Sequence, residues 1–311
     1  MPLKILDFHV HVTDNATGVE ESIRYFSDYC SQRGFVGVCI HAAEYTSSRG
    51  GHPDCNEKAL AVSRAIPNSY AFAGLHHVRD FVEQTKEYME RGFRGIKLLE
   101  GKPSCYRHYG YGFDHPRFQA FFAYAEEQGI PLLIHNNDPL DNWDISKVSE
   151  SAFQKGWYYD ASMPSQEDFF RVLEEDVLAK HPKLRAAIAH FGFYSNNLER
   201  AESLMERFPN LIMDMTPALC IFDELSETPE RTRAFLEKYQ DRIIYGTDVS
   251  NRIEGSVRTL NEKKVAVMQA FYEGTEIVRV ADRTIAGMGL SEEILEKLYY
   301  NNAMRFLGVQ L

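Results

Sequence analysis

Five residues in the 311-residue sequence combine metal-binding side chains with positions at the ends of apolar segments. They are His9, His11, His135, His190 and Asp248. Residues two apart in a strand point to the same face, about 6–7 Å apart along it, so the first two imidazoles can converge on one ion. A lone histidine at a strand end is more often a structural, hydrogen-bonded residue. Burying the whole set without an ion would be costly, so the combination predicts a divalent metal site.

The segments that must position these residues are eight short apolar runs. The runs are Lys4–Val12, Val36–Ala42, Tyr70–His77, Gly95–Glu100, Pro131–Asn137, Arg185–Gly192, Leu211–Pro217 and Ile243–Val249. They recur about every 34 residues, the size of a βα unit. Eight such units predict an α/β fold of the (β/α)8 type, the TIM barrel, in which the candidate residues fall at the carboxyl ends of the strands. The sequence contains neither GxGxxG nor GxxxxGK[ST], which disfavours a doubly wound nucleotide-binding sheet.

Capping and helix-breaking residues delimit helices between the runs. One helix is predicted from Asp54 to about Pro67, another from Pro116 to Gly129, and a third from Ser165 to about Lys180. Residues 136–165 and 251–289 exceed the basic repeat. We expect residues 1–311 to form a single barrel domain in which these two stretches are inserted loops and helices.

Composition excludes several classes of protein. The chain has 34 Lys and Arg against 45 Asp and Glu, a net charge of −11, and both nucleic acids and anionic membranes are bound chiefly through positive charge. No apolar stretch approaches the roughly 20 residues that span a bilayer, and the N-terminus lacks the apolar region of a signal peptide. Five scattered cysteines without CxxC spacing indicate reduced thiols. We therefore expect a cytoplasmic protein.

Five segments together carry a family resemblance. They are Asp7–His11 (DFHVH), Gly95–Leu98 (GIKL), Ile134–His135, Ala189–Gly192 (AHFG) and Tyr245–Asp248 (YGTD). In this order, and over nearly the whole chain, the sequence resembles the amidohydrolase superfamily. Within it, the chain is similar to the amidohydrolase-related branch that includes aminocarboxymuconate-semialdehyde decarboxylase and small lactone hydrolases.

The resemblance assigns roles to the candidate residues. It implies that His9, His11 and His135 bind a divalent metal and that Asp248 is a further ligand and the acid/base. It implies that His190 either binds a second metal or polarises the bound substrate. Three neutral imidazoles and one carboxylate leave such an ion positively charged with an open position for water, which can ionise near neutral pH.

Lys97 is the ambiguous position. In two-metal members of the superfamily a lysine of the fourth strand, carbamylated by carbon dioxide, bridges the ions. The alternative is an ammonium group that pairs with a carboxylate or binds an anionic group of the substrate. One metal is usual in the branch that the sequence resembles, so we expect one ion and no second metal. Zinc is the expected ion, and manganese, iron and cobalt are the alternatives.

Other polar residues are candidates for contact with a substrate. His41 and His76 end strands and either line the pocket or make structural hydrogen bonds. Arg107 and His108, in the tyrosine-rich loop Ser104–Phe113, suit a carboxylate and an unsaturated ring, unless the loop only packs. Two further sets follow. The aromatic residues Trp143, Trp157, Tyr158 and Tyr159 predict a lid or an oligomer contact, and the histidines His52, His77, His115 and His181 are expected at the surface.

These residues predict a metal-dependent hydrolase that attacks a small carboxylated ester, lactone or amide. Asp248 would be the base, and His190 would stabilise the oxyanion. The first alternative is a metal-dependent, non-oxidative decarboxylase of a small unsaturated or aromatic acid, because the same metal ligands serve both reactions. The second is a non-catalytic metal-binding barrel. We expect a small anionic substrate as the partner, no nucleic acid or membrane, and a homodimer as the default assembly.

Overall fold

Strands and helices alternate along the chain in the order that the eight apolar runs predict. The architecture comes from a computed structural model, which describes residues 3–12, 18–42, 54–218, 220–251, 255–280 and 283–310. The strands are β1 (Leu6–Val12), β2 (Gly37–Ala42), β3 (Tyr70–Gly74), β4 (Gly95–Gly101), β5 (Leu132–Asn136), β6 (Ala186–Ile188), β7 (Ile212–Asp214), β8 (Ile243–Ile244), β9 (Val249–Ser250), β10 (Ile277–Val280) and β11 (Arg283–Ala286). The helices are α1 (Val19–Arg33), α2 (Asp54–Ala65), α3 (Phe81–Arg91), α4 (Pro103–Tyr109), α5 (Pro116–Gln128), α6 (Glu150–Gln154), α7 (Gln166–Arg171), α8 (Leu198–Arg207), α9 (Cys220–Ser226), α10 (Pro229–Lys238), α11 (Gly255–Glu273), α12 (Glu292–Glu296) and α13 (Asn302–Leu307).

The three helices predicted from capping residues are present. Helix α5 has Pro116 in its first turn and ends at Gly129, whose φ of 62° is the left-handed conformation that favours glycine. Helix α7 begins with a capping box between Ser165 and Asp168, then continues as a π-helical segment to Leu178. Helix α2 begins at the predicted Asp54.

Strands β1 to β9 form one parallel sheet in the order β8-β7-β6-β5-β4-β3-β2-β1-β9. The eighth apolar run is divided between β8, which pairs with β7, and β9, which pairs with β1. These two strands lie at opposite ends of the strand order, yet only residues 245–248 join them. Since so short a segment spans at most about 18 Å, the sheet must curl until its edges approach.

Apolar side chains pack on both faces of the curled sheet. The outer cluster joins the strands to the surrounding helices and includes Val10, Ile40, Ile96 and Ile134. The inner cluster fills the concave side near the amino ends of the strands and is closed by α13. Its members are Leu6, Phe8, Cys39, Phe72, Leu133, Ala187, Ala189, Ile244, Ala303, Met304, Phe306 and Leu307. The candidate metal ligands follow these residues along the strands. The inner cluster therefore forms the apolar floor beneath the candidate site.

The two predicted insertions have structure of their own. Residues 136–165 include a 3-10 turn at Leu140–Trp143 and helix α6. Residues 251–289 include α11 and an antiparallel hairpin of β10 and β11. None of the helices in the described ranges is long and apolar enough to cross a bilayer. All five cysteines are free thiols, and four of them are buried.

The apolar floor predicts a large stability cost for truncating Phe306. Its ring is 6% exposed and meets Phe8 edge-on, with 5.6 Å between the centroids. Phe306→Ala should lower the free energy of unfolding by about 3–5 kcal/mol, measured by urea denaturation. Leu260→Ala, at a position that is 41% exposed, is the control and should change the value by less than about 0.5 kcal/mol. Equal effects of the two substitutions would contradict a packed inner cluster.

Candidate metal centre

A bulge in β1 turns His9 toward the concave side of the sheet. Asp7 and Val10 are three residues apart, but their pairing partners in β2 are two residues apart. Phe8 lies in the inner cluster and Val10 in the outer one. The extra residue allows both Phe8 and His9 to face inward, which is how a bulge re-aims a side chain. His11, two residues beyond His9, lies on the same side.

The ring nitrogens of His9 and His11 are arranged as a pair of metal ligands. Their Nε2 atoms are 2.9 Å apart. His9 Nδ1 lies 2.6 Å from Asp214 Oδ2 and 2.9 Å from Thr216 Oγ1. His11 Nδ1 lies 3.1 Å from the carbonyl oxygen of His41. Because a carbonyl and a carboxylate only accept, each Nδ1 carries the proton and each Nε2 presents a lone pair.

Two lone pairs facing each other at 2.9 Å repel unless a cation lies between them. A carboxylate or carbonyl that accepts from the remote imidazole nitrogen is the usual support of a histidine metal ligand, since it fixes the tautomer and the ring orientation. Burial and the nearby positive charge of Lys97 also hold the pKa of His9 well below its usual value. His9 is therefore neutral, the form that binds metal. The donor set fits a divalent ion.

Asp248 completes a group of three candidate ligands. The ligand atoms of His9, His11 and Asp248 all lie within 4.8 Å of one another, and Asp248 Oδ1 is 3.3 Å from His11 Nε2. Asp248 has a φ of 54°, and its backbone N–H donates to the carbonyl of His9 at 2.7 Å. Burial raises the pKa of this carboxyl, but the nearby charge of Lys264 outweighs burial and holds it well below its usual value.

His190 and His135 extend the site away from these three ligands. The His190 ring centroid lies 5.6 Å from that of His9 and 4.8 Å from that of His135. His190 Nδ1 is 3.3 Å from the carbonyl of Thr216, and His135 Nε2 is 3.0 Å from the carbonyl of Asn137. Burial lowers the pKa of both histidines, that of His135 to about 4. The structure brings His135 to the site but not into the group of three, and its role as a ligand stays a prediction.

Lys97 is buried beside the metal ligands. Its Nζ lies 3.4 Å from His9 Nε2, and its side chain is 1% exposed. Among the residues that the structure describes, no carboxylate oxygen lies within 4.0 Å of this Nζ. Burial lowers the pKa of Lys97 to about 8, although the charges of Asp214 and Asp248 raise it.

The sequence of the chain matches a known family. A family model described as amidohydrolase matches residues 6–309. The chain belongs to the amidohydrolase family. The predicted resemblance is thereby confirmed, and because members of this family are enzymes, the match disfavours a non-catalytic metal-binding barrel.

Solved structures show where this amidohydrolase fold recurs. The chain is similar to 5-carboxyvanillate decarboxylase from Sphingomonas paucimobilis, with 10% identity, a TM-score of 0.57 and coverage of 99% of this chain and 100% of that one. It is similar to 4-oxalomesaconate hydratase from Rhodopseudomonas palustris, with 15% identity, a TM-score of 0.55 and coverage of 98% and 95%. It is also similar to dihydroorotase from Campylobacter jejuni, with 16% identity, a TM-score of 0.54 and coverage of 99% of this chain and 84% of that one. No curated protein sequence matches the chain. Identities this low show a shared fold.

Of the residues predicted to contact a substrate, His41 lies in the amidohydrolase site. Its ring is fully buried, 5.1 Å from that of His9, and its Nε2 lies 2.7 Å from the carbonyl of Phe8. His76 follows β3, where its backbone bonds to Gln84.

The structure does not bring Arg107 and His108 to the metal ligands. Both are exposed on α4, and Arg107 donates to the carbonyls of Gly156 and Tyr158. Arg107 thus fastens α4 to residues 156–158. Contact of these two residues with a substrate stays a prediction.

The predicted surface position is wrong for His77 and His181. His77 is 7% exposed because it stacks on Tyr109 at 3.6 Å and bonds to the buried Glu100. His181 is buried behind Phe122. His115 is partly buried and caps α5, accepting from the Arg117 N–H, while His52 lies outside the described residues.

The aromatic residues of the 136–165 insertion pack around a buried ion pair. Asp138 accepts from Lys102 Nζ at 2.6 Å and from the Tyr159 hydroxyl at 2.5 Å. The Lys102 ammonium lies over the Trp157 ring, 4.0 Å from its centroid. Burial raises the pKa of Asp138, but the charge of Lys102 outweighs burial and brings it to about 2. Asp138 also lies 3.7 Å from His135 Nε2, so this insertion is joined to the site.

Lys264, whose Nζ donates to Asp248 Oδ2 at 2.7 Å, was not predicted from the sequence. One signal could have revealed it: Lys264 follows Asn261 and precedes Met268 at the spacing of the buried face of α11, an unusual place for a charge. Gly246 is part of the YGTD segment, but no role was predicted for it; a Cβ at this position would come within 2.6 Å of His9 Cβ. Only glycine allows the backbone at position 246 to approach β1 so closely.

The support of His9 by Asp214 predicts weaker metal binding when that carboxylate is lost. Asp214→Asn keeps the size of the side chain but removes the charge facing His9 Nδ1, so zinc affinity should fall about 10–100-fold. Competition with a chromophoric chelator measures it. Asp144→Asn, an exposed carboxylate elsewhere on the surface, is the matched control and should leave affinity unchanged. Wild-type affinity in Asp214→Asn would show that Asp214 does not support a ligand.

Proposed function

We propose that this amidohydrolase-family enzyme hydrolyses a small carboxylated ester, lactone or amide with the help of one divalent ion, zinc by preference. The observation that carries the proposal is the pair of Nε2 lone pairs of His9 and His11, which face each other beside Asp248. When bound there, the ion supplies a water molecule that ionises near neutral pH. His135 is proposed as an additional ligand.

Two residues are placed to move protons and charge. Asp248 Oδ1 points at the ligand group, and the side chain is 29% exposed, so it can take a proton from water and deliver it to a leaving group. His190 is held by the carbonyl of Thr216 through Nδ1, which leaves Nε2 directed elsewhere. We propose that His190 stabilises negative charge on the substrate oxygen as an imidazolium, which becomes protonated at Nε2 as that charge develops, because its Nδ1 proton is held by the carbonyl of Thr216.

The charge of Lys97 favours an anionic substrate. A buried ammonium without a carboxylate partner is unstable unless an anion reaches it. A carboxylate of the substrate, placed between Lys97 and the positively charged metal centre, would meet both charges. We therefore propose that Lys97 binds the substrate as an ammonium group rather than bridging two ions as a carbamate.

Decarboxylation of a small unsaturated or aromatic acid is the second candidate. Two of the named structural relatives are a decarboxylase and a hydratase, and the names of both refer to carboxylated compounds. A carboxylate at Lys97 fits this reaction as well. In this case protonation at carbon by Asp248 would replace attack by water.

The finer structural proposals are a closed barrel and a single domain. Besides the pairing of β9 with β1, the Phe8 N–H donates to the carbonyl of Tyr245 at 3.1 Å. Residues 243–250 would thus form an eighth strand, interrupted at Gly246–Asp248, that closes a (β/α)8 barrel.

We also propose that the enzyme acts in the cytoplasm on a small molecule, and as a homodimer.

Metal content tests the role of Lys97. The full chain, purified after growth with zinc, should contain one ion per chain by elemental analysis, and growth with ¹³C-bicarbonate should give no carbamate signal in the ¹³C NMR spectrum. Two ions per chain together with a carbamate signal would overturn the assignment of Lys97 as an ammonium.

Product analysis tests the reaction. The zinc-loaded enzyme should hydrolyse members of a panel of small carboxylated esters, lactones and amides, and chelation should abolish the activity. Asp248→Asn should lower kcat about 10²–10⁴-fold while the far-UV circular dichroism stays native. Retained turnover would refute the acid/base role. Release of carbon dioxide from an acid of the panel would replace hydrolysis with decarboxylation for that substrate.

A further inference from the structure

Lys264 reaches the metal centre from outside the parallel sheet. It lies on the buried face of α11, and its side chain is 8% exposed. Its Nζ donates to two oxygens of one residue, the carboxylate Oδ2 of Asp248 at 2.7 Å and the carbonyl oxygen of Asp248 at 2.8 Å. We infer that Lys264 is a positioning residue, which holds Asp248 so that one carboxylate oxygen can bind the metal. This inference rests on the proposed function.

The backbone at Asp248 needs such a restraint. With a φ of 54°, this residue occupies the left-handed region that non-glycine residues rarely adopt. It lies where the eighth run passes from pairing with β7 to pairing with β1, so regular strand bonds do not hold it on both sides. Its N–H bonds to the carbonyl of His9, and Lys264 holds its carbonyl. Strained residues persist only where the surroundings determine them in this way.

Because of Lys264, the two oxygens of the Asp248 carboxylate have different partners. Oδ2 is bound to the ammonium, whereas Oδ1 lies 3.3 Å from His11 Nε2. With one oxygen and the carbonyl held by the same ammonium, rotation of the carboxylate is restricted. Oδ1 thus stays aimed at the point that the histidine nitrogens face.

Asn261 offers a control that distinguishes positioning of Asp248 from general packing of α11 against the sheet. It lies about one turn before Lys264 on the same buried face. Its Nδ2 donates to the carbonyl of Ser250 and to the hydroxyl of Tyr25, each at 3.1 Å. Asn261 therefore fastens the helix to the same segment of chain without a hydrogen bond to Asp248, and Asn261→Ala is a matched control.

Metal affinity tests the inference without any substrate. Lys264→Met keeps most of the side-chain stem and removes the ammonium, and Lys264→Arg keeps the charge and two donors. In the full-length protein we expect Lys264→Met to weaken zinc binding about 10–100-fold in chelator competition, as other residues that orient a ligand do. Lys264→Arg should recover part of the affinity, and Asn261→Ala should stay within about threefold of wild type.

A purely electrostatic effect has the opposite sign, since removing a positive charge near the ion would strengthen binding. Zinc binding by Lys264→Met that equals or exceeds wild type would therefore overturn the inference. The visible spectrum of the cobalt-substituted protein is a second readout, and in Lys264→Met it should shift toward that of Asp248→Ala. If the cobalt spectrum of Lys264→Met is unshifted, and if this variant loses as much zinc affinity and as much Tm as Asn261→Ala, then Lys264 only packs α11 against the sheet and the inference is wrong.

Wild-type zinc binding separates this inference from the proposed function. Wild-type protein that binds no zinc would overturn both. Wild-type protein that binds zinc, alongside an unaffected Lys264→Met variant, would overturn the role of Lys264 alone. If Lys264→Met does not fold, Lys264→Arg decides. A cobalt spectrum that differs from that of wild type, in a variant whose Tm equals that of wild type, would support the positioning role, whereas a zinc affinity and a cobalt spectrum equal to those of wild type would overturn it.

Discussion

Repulsion between two imidazole lone pairs is the constraint on which the rest of this site depends. His9 and His11 can present their Nε2 atoms to each other only if both Nδ1 protons are bound elsewhere. One acceptor comes from the end of β7, as Asp214, and the other is the carbonyl of His41 in β2. In the strand order β2 is the neighbour of β1, whereas β7 lies six positions away. The curvature of the sheet is therefore part of the site, because a flat sheet would carry Asp214 away from His9.

The backbone is strained where the site is built. His190, Phe191, Phe193 and Asp248 all have φ between 51° and 60°, and all follow β6 or β8. Each such residue costs on the order of 1–3 kcal/mol, which packing elsewhere must offset. The helices and the two apolar clusters supply that packing.

Sequence patterns were sufficient for the positions of the sheet strands along the chain, for three of the helices, and for His9, His11 and Asp248, which the structure brings together. Apolar runs and capping residues are local signals, so Ser165, Pro116 and Gly129 marked their helices correctly. The bulge in β1 was not predictable, because DFHVH reads as a regular alternation. Lys264 was missed because its partner Asp248 is 16 residues away, farther than a local sequence pattern reaches. Arg107 was assigned by its chemistry, yet its guanidinium finds carbonyl acceptors in the insertion, a long-range contact that local sequence does not reveal.

The acidic exterior does not determine which ligand the interior prefers. At physiological salt, charges separated by more than about 8–10 Å are largely screened, so the net charge of −11 acts mainly on solubility and on large partners. Within the site, the charge of Lys264 is matched by Asp248, whereas Lys97 meets no carboxylate within 4.0 Å in the described part of the chain. A divalent ion held by the neighbouring histidines would add charge of the same sign. With an ion bound, its charge and those of the two lysines would outweigh the carboxylates of Asp214 and Asp248, which supports the proposal of a small anionic substrate.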